Sequence, residues 1–376
     1  MCKGHKREVR FGLGAIVLTV VAAFILTSGA VSFGKEPPAL KGLSGAEKQR
    51  VQNLIDGARK EGALTWWDTI MDVAASTKII NDFKEYYGLK KISVSIPRMR
   101  TGTLTAKVEE ELKAGKLTVD VISVAALGWF YELLERGELL KYDSPEYKFY
   151  GPASRAGLCM KSYWVSDAYV FVPAWNEKCF SSPPKPIESW NDLLRPEFKG
   201  KIVQGDVLKS TSYSATFKGV ESVMGKEFFK KLAKQDTTVI MGTKRTQEKM
   251  LTCENPVDMS SMPTRLYQLS LETDTSAYKN AYPKEGVLPL PQPMAILKPA
   301  KNPNAAKLMI DYMRSERGQK THGKIVGFAS GREGIKHPSP YIKGLDEMKA
   351  IPFDWKKYGS AAIKKARKEW RQIYGR

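Results

Sequence analysis

Arg98 and Arg100 stand just ahead of one predicted helix, TGTLTAKVEEELKAG, and Lys244 and Arg245 stand at the head of another. Cations beside a helix start suit one kind of chemistry, the holding of an anion. The unpaired N–H groups of a first turn and the helix dipole favour negative charge, by about 0.3–1 kcal/mol when exposed and up to ~2 when partly buried. An arginine adds a fork of donors that fits carboxylate or phosphate. Arg98 and Arg100 are two apart in an extended stretch, so they point the same way. The alternative is that these side chains face solvent or pair with Glu109, Glu110 and Glu111. Small, polar and aromatic residues recur at the other predicted strand ends: Trp66-Trp67-Asp68, Thr101-Gly102, Ser123, Asp206, Ser210-Thr211 and Thr243. Hydroxyls and free N–H groups at such places can hold a ligand without reacting with it. A tryptophan pair is costly to expose, so one of Trp66 and Trp67 is expected to pack inside and the other to line the site.

Catalytic machinery is missing. The sequence has no G-x-x-x-x-G-K-[ST], no G-x-S-x-G, no H-E-x-x-H and no C-x-x-C. With 3 His, a histidine-built metal centre or triad has almost no raw material. His322 and His337 read as exposed or structural. No catalytic residue, metal site or cofactor is therefore expected. The pattern is that of a binder and not of an enzyme.

The elements that must position these residues alternate regularly. Val51, Leu54, Ile55 and Ala58 follow the capping box Ser44-Gly45-Ala46-Glu47 at helical spacing. ALTWWDT, KISVSI and TVDVISVA then read as strands, each leading through a loop into a helix. Such alternation makes a parallel sheet with helices on both faces, and ligands bind at the carboxyl ends of its strands. Composition changes at SSPPKPIESW, where the prolines cannot continue an element comfortably. GKIVQGD then opens a second series of strand, loop and helix. The expected organisation is 1–32 export segment, 33–172 first part of lobe 1, 173–284 lobe 2, and 285–376 return to lobe 1 with the C-terminal helices.

The 376 residues are 42% hydrophobic and 27% charged, which excludes wholesale disorder. The balance of 60 Lys+Arg against 40 Asp+Glu makes the chain basic. No tract of interleaved aromatic and basic residues marks a nucleic-acid binder, so none is expected. MCKGHKREVR precedes a long apolar run ending in small residues, the layout of a secretory signal peptide with its cut near Ser32. The run is also long enough for an uncleaved anchor; either way the remainder crosses the inner membrane into the periplasm. That compartment permits disulfides. Cys159 and Cys179 flank two predicted strands around Ser166-Asp167, a hairpin that would bring them together and leave Cys253 over.

Three longer segments carry a resemblance. ARKEGALTWW, ESWNDLLRPEFKGKI and GVLPLPQPMAILKPAKNPNAAKLMIDYMRSERGQ resemble parts of bacterial extracellular solute-binding proteins. These are the helix-into-first-strand opening, the entry to the second lobe and the return to the first. The group is the ferric-ion-binding-like one that serves ABC importers. The resemblance spans about residues 45–340. It implies a class II periplasmic-binding-protein fold, α/β and two-lobed, with crossing hinge strands and a ligand cleft that closes on binding. It implies a small-molecule ligand, a permease partner in the inner membrane and a monomer. It does not carry over an iron site: only Tyr267 falls in the region where the ferric-binding members place adjacent tyrosines. The other readings are a bilobed sensor for a membrane signalling partner and an exported enzyme on the same scaffold.

Overall fold

The computed structural model describes residues 35–375 apart from 152, 153 and 155–157. The expected export segment and its cut near Ser32 lie outside the described residues.

Helix α1 (Gly45–Glu61) buries Val51, Leu54, Ile55 and Ala58, and stops where Gly62 takes a left-handed φ of 73°. Ser44 sits at its N-cap without the side-chain bond of a capping box. Glu47 is engaged by Arg50 at 2.8 Å instead. Three strand–helix repeats follow: β1 (Ala63–Asp68) to α2 (Val73–Tyr87), β2 (Ser93–Ser95) to α3 (Thr101–Lys113), and β3 (Val121–Ser123) to α4 (Leu127–Glu135). Strand β1 pairs parallel with both β2 and β3. Helix crossovers between parallel strands return the chain to the same end of the sheet each time. The loops after these strands therefore gather at one edge.

The chain then passes from β4 (Trp164–Tyr169) to β5 (Val172–Asn176). Those two strands belong to different sheets, and only Val170 and Phe171 lie between them. The second sheet adds β6 (Ile202–Gly205), α5 (Thr211–Ala233), β7 (Thr238–Ile240), α6 (Thr243–Leu251), β8 (Val257–Ser261), α7 (Pro263–Ser270) and β9 (Tyr278–Asn280). Strand β10 (Leu290–Ile296) returns to the first sheet and leads to α8 (Pro303–Arg314) and α9 (Glu316–Val326). The orders are β2-β1-β3-β10-β4 and β7-β6-β8-β5-β9. In each sheet a parallel triplet meets strands that run antiparallel to it, β10 in one and β5 in the other. The result is a two-lobed α/β fold in which the chain crosses between lobes at β4–β5 and again at β9–β10.

This crossing overturns the expected Cys159–Cys179 bridge. Asp167 is a mid-strand residue of β4 and not a turn, so no hairpin joins the cysteines. Cys159 is buried in the first lobe. Cys179 follows β5 into the second lobe and pairs with Cys253, with their Cα atoms 5.3 Å apart. Helix α10 (Ser360–Tyr374) packs along α5, where Glu369 meets Lys218 at 2.7 Å and Tyr374 reaches Gln204 of β6.

Candidate ligand cleft

The carboxyl ends of both parallel triplets face a cleft with two connected chambers, of about 1050 and 480 Å³. Thr69, Arg98, Thr101, Ala125, Ser210 and Ser212 line both chambers. They come from the loops after β1, β2, β3 and β6. The larger chamber runs on past Arg100 and Gly102 toward Trp129. The smaller is closed by the starts of α6 and α7, at Thr243 and Arg265, and by Tyr169, Phe171 and Tyr213. Tyr169 and Phe171 bracket the crossover. Tyr169 stacks on Phe328 at 5.4 Å and its hydroxyl shares a 2.7 Å hydrogen bond with Ser212, while burial pushes its pKa up to about 12. Tyr213 fits because residue 205 is glycine: a Cβ there would run into the Tyr213 ring.

Two cations from opposite lobes meet here. Arg98 is exposed and its Nε donates to Thr69 O at 3.4 Å. Arg265 is half-buried, and its Nη1 donates to Gln268 Oε1 at 2.8 Å and its Nε to Thr243 Oγ1 at 3.4 Å. Burial, and after it the charge of Arg98, hold the Arg265 guanidinium below its ordinary pKa, opposed by Asp72. Among the described residues neither arginine forms an ion pair with a carboxylate. The acidic run on α3 is engaged elsewhere, Glu109 by Arg136 and Trp129 and Glu111 by Thr118. Helices α3 and α6 start at Arg100 and Gly242 with no side-chain cap, so their first N–H groups point to the cleft unspent.

Arg98, Arg100, Thr101, Gly102, Ser210, Thr211 and Thr243 thus line the cleft. Other expected residues do not. Trp66 and Trp67 are 2% and 3% exposed, and neither reaches either chamber. Strand β1 is interior to its sheet and covered on both faces, so both rings are core, with Lys107 Nζ 4.4 Å from the centre of the Trp67 ring. Asp68 turns back to accept from Ile70 and Met71 N–H at 2.7 and 2.6 Å. Burial raises its pKa against those bonds. Trp66, Asp68 and Ser123 surround a small closed hollow with Asp167 and His322, whose Nδ1 lies 2.8 Å from Asp167 Oδ2. They form the floor under the cleft, tied to it by Gln292 donating to Thr69 Oγ1 at 3.0 Å. Asp206 closes a turn by accepting from Leu208 N–H at 2.8 Å. Lys244 and Arg245 are exposed on the outer side of α6. Each helical residue turns about 100°, so only the first one faces inward. Tyr267 donates to Lys324 O at 2.8 Å and lines neither chamber. Among the described residues no group of three or more His, Cys, Asp or Glu is placed to hold a metal ion.

The sequence reading missed Ser212, Tyr213 and above all Arg265. A signal was present. VDMSS is strand-like, and Pro263 after it is a favoured first helical residue. The loop after β8 was a strand–helix junction of the same kind as the rest.

A two-lobed α/β chain with strand ends gathered around one cleft has the architecture of periplasmic binding proteins. The chain belongs to the bacterial extracellular solute-binding protein family, whose model matches residues 119–341. Its fold is similar to iron-bound HitA from Pseudomonas aeruginosa, at 20% identity and a TM-score of 0.67 over 83% of this chain and 99% of that one. It is also similar to AfuA from Actinobacillus pleuropneumoniae with fructose-6-phosphate bound, at 22% identity and a TM-score of 0.67 over 84% and 99%. An ABC-transporter substrate-binding protein from Agrobacterium tumefaciens matches at 14% identity and a TM-score of 0.67 over 90% and 97%. No curated protein sequence matches the chain.

Proposed function

We propose that this chain is the periplasmic substrate-binding subunit of an ABC importer. It captures a small anionic solute between its lobes and delivers it to an inner-membrane permease, acting as a monomer, without a cofactor and after export by its N-terminal segment. The observation that carries the ligand charge is the meeting of Arg98 and Arg265 across the smaller chamber: Asp72 and Glu272 also line it, but among the described residues neither carboxylate forms an ion pair with these arginines. An anion between them offsets their mutual repulsion and is held from both lobes at once. Uncapped starts of α3 and α6 add N–H donors around the same space. The excess of basic residues steers such a solute inward. AfuA, one of the similar structures, holds a sugar phosphate.

The test is a thermal-shift panel of carboxylates, phosphates, sulfonates, amines and neutral sugars on the exported protein, with native mass spectrometry for a co-purified ligand. A solute at ~100 times its Kd should add ~2.7 kcal/mol of stability. Anions should stabilise, and Arg98→Ala and Arg265→Ala should weaken them. Stabilisation by amines or neutral sugars alone would overturn the reading.

A further inference from the structure

The larger chamber is built partly by residues beyond the family match, which ends at 341. The chain there lies against both lobes. The turn Trp355–Lys357 packs on α4, and Lys356 reaches Glu135 at 3.5 Å. The Tyr358 carbonyl rests against Gly128, where a Cβ would come within 2.6 Å of it. The Tyr358 hydroxyl shares a 2.8 Å hydrogen bond with Ser214 of α5. Helix α10 then follows α5. This segment walls one side of the chamber with Trp355, Tyr358, Ile363 and Arg367.

The wall is cationic where it meets the chamber. Arg367 Nε is buried with no hydrogen-bond partner among the described residues. Helix α10 begins at Gly359, two turns ahead of Arg367, with no side-chain cap, and Gly359 and Ser360 line the same space. Across the chamber, α3 and α4 also begin without side-chain caps, at Arg100 and Ala126. Arg98, Arg100, Lys209 and Arg367 line the chamber against the single carboxylate of Glu132. One anionic group at Arg98 and Arg265 leaves this second concentration of positive charge and N–H donors unanswered.

We propose that the ligand is an elongated dianion and that the C-terminal segment reads its second end. The first anionic group sits between Arg98 and Arg265. The body lies along Trp129 and Tyr358. The second carboxylate or phosphate group takes the start of α10, with Arg367 and Arg100. The inference rests on the reading of the cleft as an anion site and narrows it. Because the segment touches both lobes, the second group is gripped only when the ligand is long enough to reach it.

The experiment uses isothermal titration of the full exported chain with two matched probe series. One is monocarboxylates against α,ω-dicarboxylates of four to eight carbons; the other is hexose monophosphates against hexose bisphosphates. At least one dianion should bind ten times more tightly than the monoanion of the same length, and the series that shows the gain identifies the end group. Arg367→Gln should remove that gain while leaving monoanion affinity within twofold, and Arg367→Lys should restore part of it. Melting temperatures of both variants report whether the fold is kept. Arg265→Ala should weaken both members of each pair. Equal affinities for mono- and dianions throughout, or a gain that survives Arg367→Gln, would overturn the second site and leave the first standing. Failure of every anion to bind would remove both.

Discussion

The two lobes bring their cations to the cleft in different ways. Arg98 of the first lobe is exposed and leans on a single carbonyl, that of Thr69 at 3.4 Å. Arg265 of the second is half-buried, aligned by Gln268 and Thr243, and has already lost part of its hydration. A fixed, partly dried guanidinium needs less ordering when an anion arrives, so more of its hydrogen-bond energy appears as affinity. An exposed, solvated one contributes mainly to capture. The supports differ too. The first lobe floors its half with Asp68, whose Oδ1 accepts from two backbone N–H groups, and with the Asp167–His322 pair. The second relies on Asp258, fully buried on β8, and on the Cys179–Cys253 bridge.

This contrast can be broken at several points. Arg265→Ala should cost roughly 2–5 kcal/mol of anion affinity, read by calorimetry, because a desolvated and aligned partner is lost. An effect no larger than that of Arg98→Ala would abolish the asymmetry. Replacing Cys179 and Cys253 by Ser opens a loop with a sequence separation of 74 residues. It should lower stability by roughly 2–4 kcal/mol in denaturant unfolding.

Asp258 gives the pH test. Burial raises its pKa to about 6, against the bonds from Thr246 and Ser260. A folded-state pKa above the unfolded one means that its stability contribution is fully present below the unfolded value and is lost as pH rises through about 6. Between pH 5 and 8 the wild type should lose about 1–2 kcal/mol by this route, and Asp258→Asn should not. Equal slopes in the two proteins, measured by thermal unfolding across that range, would count against the burial argument. Arg98→Ala should cost about 1 kcal/mol of affinity and reduce its salt dependence. Smallest of all, Lys244→Ala with Arg245→Ala should change affinity by less than about 0.5 kcal/mol, since both side chains are exposed outside the cleft.

Half of the cationic lining of the cleft was legible because it is local. Arg98 and Arg100 alternate with Pro97 and Met99 just before α3, and the extended stretch sends both arginines into the larger chamber. Ser210, Thr211 and Thr243 were found because they open helices after strands. Lys244 and Arg245 were lost to the rotation of α6. The tryptophans were lost because β1 is an inner strand, a fact fixed by its neighbours and not by ALTWWDT.

The sequence by itself determined the elements, their alternation and therefore the two parallel triplets, because hydrophobic period and helix-end residues act over a few positions. That local order also put the strand-end loops at one edge of each sheet, since helix crossovers allow no other arrangement. Only the tertiary structure decided which sheet each strand joins. Strands β4 and β5 lie two residues apart and enter different lobes, so Cys179 meets Cys253 across a long sequence separation and not nearby Cys159. The same holds for Arg265 opposite Arg98 and for α10 on α5. These contacts depend on the packing of surfaces far apart in the chain, and no local pattern encodes which distant surface will be the partner.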